Sequence, residues 1–383
     1  MKCRGVTSTR TRAARRRGAT LLGRALLLAG AWTASSCAPS GFASETLVTT
    51  VRILASSSDP GYAQPGSTVT VQVLAVDGRP NPPEPMTVFW LPAVCEDPVD
   101  DAYFSCFQGL GSGDAGAPAG DGGDASSGID GLPAGTDITP FLSRGPSQSF
   151  FIPSDVVSRH TPVPGEAAPY GLGIVFNIAC GGTSVRLLPV DPTSDNPQRV
   201  PVACFDAQGN QLGPDDSVFG FSRIYAFAPD AGANGTPITN ANPTISSVDV
   251  AGSPFAVTLM PGTTVGYDTP TFTTSHCGGT GARCANVNIG PVVPESSWEL
   301  TQQTDVNGNP QHEEIWADFY STLGQISGGA TLLYDATTGS IGAPSVTDLQ
   351  FTPPDEPAVG TLWIVVHDNR GGASWVTIPV DVQ

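Results

Sequence analysis

The side chains able to do chemistry fall into three groups: eight cysteines, four histidines and 35 acidic residues. Cys37 follows directly on Ala34-Ser35-Ser36 at the end of the apolar run 25–32, where the thiol of an exported chain accepts lipid before cleavage. Six more cysteines follow: Cys95, Cys106, Cys180, Cys204, Cys277 and Cys284. An even set in an exported chain reads as disulfides, most simply in three sequence-local pairs, although spacing alone leaves the connectivity open. A metal reading is weaker, because no CxxC occurs and His276, the histidine beside a cysteine, has no partner at finger-like spacing. The other histidines, His160, His312 and His367, are scattered. His312-Glu313-Glu314 with Asp318 offers metal-ligand residue types. On a strand, however, alternation sends Glu313 and Glu314 to opposite faces, and the motif reads as a solvated strand start. Asp305-x-Asn307-x-Asn309 fills the first three ligand positions of a calcium loop, but Pro310 stands where glycine is required. Asn307-Gly308 there is better read as a hairpin turn. There is no GxSxG elbow, no HExxH, no phosphate loop followed by Lys, and no cysteine left over as a nucleophile. The chain is therefore expected to be no enzyme and to need neither cofactor nor metal.

The segment ahead of Cys37 supplies the address. Residues 1–24 are basic and free of acids, and the apolar run after them is too short to span a bilayer. Residues 1–36 thus read as a lipoprotein-type signal peptide and 37–45 as a tether, with export through the general route or, from Arg16-Arg17, the twin-arginine route. Ordinary secretion, with Cys37 a bystander, is the alternative. Eight of the 17 basic residues precede Cys37, leaving nine against 35 acids and no lysine, a formal net charge of −26. Such a chain will not bind nucleic acid or an anionic bilayer by charge.

The elements that would carry these residues are strands. With 45 Gly and 36 Pro, the chain is punctuated into short Val/Ile/Thr/Phe-rich runs, the pattern of a sandwich or barrel. Residues 47–54, the alternating 67–76 (STVTVQVLAV) and 86–91 (MTVFWL) read as strands A, B and C of an immunoglobulin-like sandwich, and 171–179, 200–205 and 219–227 as later ones. This first domain covers 46–228, with a Gly/Ala/Asp-rich flexible insertion at about 109–137. A linker, 229–242, precedes a second sandwich over 243–383. Its strongest elements are 313–321 (EEIWADFYS) and a terminal hairpin, 361–382, turning at Asp368–Gly372 and reading as strands F and G.

The acylated Cys, the opening VRILA…AQPGSTVTVQVLAV and the ending TLWIVVHDNRGGASW resemble uncharacterised surface lipoproteins of high-GC Gram-negative bacteria, of the myxobacterial type. That resemblance implies tandem immunoglobulin-like domains, display at the outer membrane or cell surface, and an interaction role without catalytic residues. Strand phase adds one candidate ligand face. With Ile315, Ala317 and Phe319 inward, Trp316 and Tyr320 join Trp363 and Trp375 on an outer sheet surface, a platform for a glycan or protein partner. The competing reading makes Trp316 a buried strand-C Trp, with the others covered by loops or by the first domain. The fold expected is all-β, two immunoglobulin-like sandwiches. The function expected is a lipid-anchored surface display, adhesion or spacer module, with a glycan-binding envelope protein as the alternative. A tether of at most about 30 Å would keep the first domain near the membrane and put the second outward.

Overall fold

β-branched residues recurring at every second position stiffen the backbone into extended conformation and line one face with apolar methyls. That pattern forms β1 (Val51–Asp59) and β2 (Thr68–Asp77), joined through a Pro-Gly turn at Gly66. β3 (Thr87–Trp90) and β4 (Ser143–Arg144) flank a long excursion, and β5 (Ser147–Phe151) follows at once. β6 (Tyr170–Cys180), the short hairpin β7 (Ser184–Leu187) and β8 (Val202–Phe205), and β9 (Ser217–Phe227) complete the first block. The computed structural model describes residues 45–92, 94–107, 132–161, 168–189, 200–278, 284–299, 303–304, 310–311, 313–335, 340–341 and 349–383. Those from Glu45 to Gln383 belong to one compact unit.

In the first block β1-β2-β5 form one sheet and β9-β6-β3-β4 the other. This is the A-B-E over G-F-C-C′ order of an immunoglobulin-like sandwich. Val69, Val71, Val73, Phe150, Val175 and Ile224 fill the space between the sheets. Trp90 is fully enclosed there, and its indole N–H donates to the Gly145 carbonyl at 2.8 Å. β6 is buried along almost its whole length because it is covered twice. Val175 and Ala179 face the sandwich core, whereas Leu172, Ile174, Phe176 and Ile178 face a second apolar layer outside the sheet. That layer is a roof made from the β3–β4 excursion, with Phe107, Ile138 and Leu142, and from the β7–β8 hairpin, with Val185, Leu187 and Val202. Disulfides Cys95–Cys106 and Cys180–Cys204 staple the two halves of the roof. Within the 109–137 insertion, residues 109–131 lie outside the described set. Residues 132–137 run beside β7, with the Gly135 N–H donating to the Leu187 carbonyl at 2.8 Å.

The second block repeats the architecture. β10 (Ser247–Val250) and β11 (Ser253–Ala256) form a hairpin, and β12 (Gly266–Asp268) and β13 (Phe272–Thr274) follow. β14 (Val287–Val292), β15 (Glu314–Ser321), β16 (Gln325–Ser327) and β17 (Ala330–Asp335) come next. β18 (Gln350–Thr352), β19 (Ala358–Asp368) and β20 (Ala373–Val382) close the chain. One sheet runs β11-β10-β14-β18-β16, and the other contains β12-β20-β19-β15-β17. β12 and β13 lie parallel to β20 while every other pairing among these labelled strands is antiparallel. This A′-beside-G arrangement again marks an immunoglobulin-like sandwich. Ile315, Ala317, Phe319, Leu362, Ile364 and Ile378 are among its buried core, and Cys277–Cys284 closes the loop before β14.

Candidate functional site

Outer-face residues of β15, β19 and β20 follow from the inward set by alternation. Tyr320 stands opposite Trp363, Trp316 opposite His367, and Val365 opposite Trp375. All four aromatic candidates therefore share one sheet face. The first sandwich covers much of it. Trp363, Val365 and Trp375, at 7%, 0% and 3% exposure, pack with Val48, Leu54, Leu74 and Val76 of the first block. A β-bulge at Leu54 shifts the β1 register, and Leu54 and Ala55 both join this contact. Tyr320 is half-buried at the margin, with the Arg52 guanidinium 5.5 Å from its ring centre. Trp316 is likewise half-buried, neither a core Trp nor fully open. It stacks on His367 at 5.3 Å on one side and pairs with Leu332 of β17 on the other. His367 Nε2 lies 3.3 Å from the Asp318 carboxylate.

Polar contacts tie the same junction. Gln72, whose place in an alternating strand reads as solvent-facing, is 2% exposed. Its side-chain amide donates to Thr264 Oγ1 at 2.7 Å and accepts from the Thr264 N–H at 3.2 Å. The segment 229–242 runs back into the joint. Asn242 Oδ1 accepts from Ser57 Oγ at 2.8 Å and from the Ala373 N–H at 3.1 Å, and its Nδ2 donates to the Ser58 carbonyl at 2.8 Å. Gly61 passes so close that a Cβ there would sit 2.5 Å from the Asn240 carbonyl oxygen. At the start of the described residues, the Val48 N–H donates to the Ser321 carbonyl and the Ser321 N–H to the Thr46 carbonyl, each at 2.8 Å. This strap ties Thr46 and Val48 to the second sandwich. The described chain enters along β15 of the second sandwich.

Behind the linker lies a buried charged cluster. Arg370 donates from Nη1 to Glu299 Oε2 at 2.8 Å, and Glu299 Oε1 accepts from the Ala241 N–H at 2.9 Å. Asp368 Oδ1 accepts from the N–H groups of Arg370 and Gly372 at 2.8 and 2.7 Å, and Oδ2 from Asn240 Nδ2 at 3.2 Å. Burial pushes the Asp368 carboxyl up, opposed by these hydrogen bonds. Glu313 is 1% exposed, so the solvated strand start expected for it is wrong. Its Oε2 accepts from the Glu299 N–H, and burial pushes its carboxyl up to about 7. Burial, with Asp368 nearby, likewise raises the Tyr62 hydroxyl from the first block. Sequence reasoning missed this cluster because Glu299, Glu313 and Arg370 are far apart in the chain, and nothing local marks them as neighbours.

The remaining candidates are dispersed. Glu314 is exposed on the face opposite Glu313, and His312 lies outside the described residues. So do 305–309, although their flanks Gln303–Thr304 and Pro310–Gln311 pair as a hairpin. Cys37 and the whole of 1–44 also lie outside them. Among the described residues no helix is long and apolar enough to cross a membrane. No family model and no curated protein matches the chain. Among solved structures, fibronectin(III)-like modules of Clostridium thermocellum CbhA are similar over 86% of this chain and 94% of that one, at 8% identity and a TM-score of 0.17. A likeness that faint carries no weight, and the fold assignment rests on the strand order itself.

Proposed function

We propose that the protein is a non-catalytic display or adhesion module of a bacterial cell envelope, lipid-anchored through Cys37 at the outer membrane or cell surface. The resemblance to myxobacterial-type surface lipoproteins belongs to this reading, as does an undefined protein or glycan partner. One observation carries it: the second sandwich spends Trp363 and Trp375, half of its aromatic face, on the first sandwich. Aromatic surface that a glycan-binding protein would present is used here to fuse two domains into one body. Three disulfides support passage through an oxidising compartment.

Intact mass spectrometry of the protein from membranes of an export-competent host tests the anchor. The expected species starts at Cys37, carries a diacylglycerol-plus-acyl increment and has six oxidised thiols. A soluble, unacylated product cut elsewhere overturns the anchored reading and leaves a freely secreted protein.

A further inference from the structure

We infer that the joint between the two sandwiches is a proton-operated clasp, in which Glu313 holds a proton while the 240–242 segment is docked and releases it when that segment lets go. This goes beyond the display reading and does not depend on the lipid.

The charge count of the joint carries the inference. Among the described residues, three carboxylates, Glu299, Glu313 and Asp368, lie around one guanidinium, Arg370, whose side chain is 1% exposed. All three ionised would leave two uncompensated negative charges in a buried site, a costly arrangement in a low-dielectric interior. Two of the three are well served. Glu299 has Arg370 and the Ala241 N–H, and Asp368 has two backbone N–H groups and Asn240. Glu313 has the Glu299 N–H on Oε2, while its Oε1 is buried without a hydrogen-bond partner among the described residues. A proton on Oε1 removes one of the two surplus charges, at the carboxylate oxygen that has no donor among the described residues. Among the described residues, Tyr334 on β17 stands beside Glu313, and Tyr62 of the first sandwich is directed at Asp368, Arg370 and Glu299. Both are neutral phenols and cannot balance the charge.

The coupling to the clasp is direct. Glu299 and Asp368, the neighbours that an ionised Glu313 would repel, are the acceptors that hold Ala241 and Asn240. Asn242, next in sequence, holds β1 of the first sandwich and the start of β20 together. Burial in the closed joint raises Glu313 from the ordinary 4.5 to about 7, and an opening that admits water returns it toward 4.5. The raised value means that closure is fully favoured below about 4.5 and is lost as pH rises to about 7.

Hydrogen exchange of the full mature chain at pH 5.5 and 8.5, corrected for intrinsic rates, reads the opening of peptides covering 236–244 and 366–374. Opening is expected to rise about 30-fold between these values, since about 1.5 pH units lie below the closed-state midpoint. Glu313→Gln, which keeps an acceptor for the Glu299 N–H, is expected to abolish the rise and stay protected at pH 8.5. Equal protection of the wild type at both pH values, or an unchanged rise in the variant, overturns the clasp. Should that variant fail to fold, carboxyl-¹³C glutamate NMR of the wild type decides. One glutamate titrating near neutrality supports the proposal, and none above the usual carboxylate range refutes it.

Discussion

Leu74→Ala tests whether the two sandwiches are one cooperative body. Leu74 lies on the β2 face turned away from the first sandwich's core, so an isolated first sandwich would expose it to water. In the protein it is 8% exposed and packs in the cluster containing Trp363, Val365 and Trp375. Truncating a leucine in such a site costs about 3 kcal/mol, from lost apolar burial and the cavity left behind. If Glu45–Gln383, about 340 residues, melts as one unit, its unfolding entropy is about 0.7 kcal/mol/K and the midpoint falls by about 4 °C. Were the same loss borne by the first sandwich alone, about 180 residues, the fall would be about 8 °C and the second would not move. Calorimetry gives the size of the shift, and temperature-dependent hydrogen exchange of peptides from β15, β19 and β20 shows which sandwich moves. Trp375→Ala, on the opposite wall, should lower the same single transition, and the double variant should be non-additive by at least about 0.5 kcal/mol. Two separate endotherms, with the second sandwich's midpoint untouched by Leu74→Ala, would refute the reasoning.

Asn242→Ala removes three hydrogen bonds and strands the Ser58 carbonyl and the Ala373 N–H at the junction. A loss of about 2–3 kcal/mol is expected, seen as a lower urea midpoint at unchanged m-value. Replacing Cys180 and Cys204 together by serine opens a loop with sequence separation 24. It should cost about 2–4 kcal/mol in denaturant melts and make the β7–β8 hairpin the first site of limited proteolysis.

Local pattern carried the strands well and their partners poorly. Val69, Val71 and Val73 alternate cleanly, and they do face the first core. The inward phase of Ile315, Ala317 and Phe319 also reads directly from the sequence. What the sequence conceals is what covers the other faces. β6 reads as one apolar run because it is buried on both sides, and its second cover comes from insertions whose own apolar residues are sparse. The junction did leave a trace. Along the outward positions of β2 the residues pass from Thr68 and Thr70 through Gln72 to Leu74 and Val76. A solvent face that turns apolar partway along a strand is the mark of a partner beginning there. Glu313 left none, because a buried carboxylate is recognisable only from neighbours that arrive from elsewhere in the chain.

The direction of packing constrains what such a module does at a surface. Tandem sandwiches joined end to end extend reach with each domain, and a tether on the first would push the second outward. Here the contact is sheet to sheet: the outer face of β1–β2 lies on the outer face of β15, β19 and β20. Thr46 and Val48 thread between the blocks and pair with Ser321. The anchor proposed at Cys37 would then meet the described chain where Thr46 and Val48 enter, beside β15 of the second sandwich. Side-by-side packing gains breadth and rigidity where a spacer needs length, so it favours display of surface over projection among the roles of an anchored module.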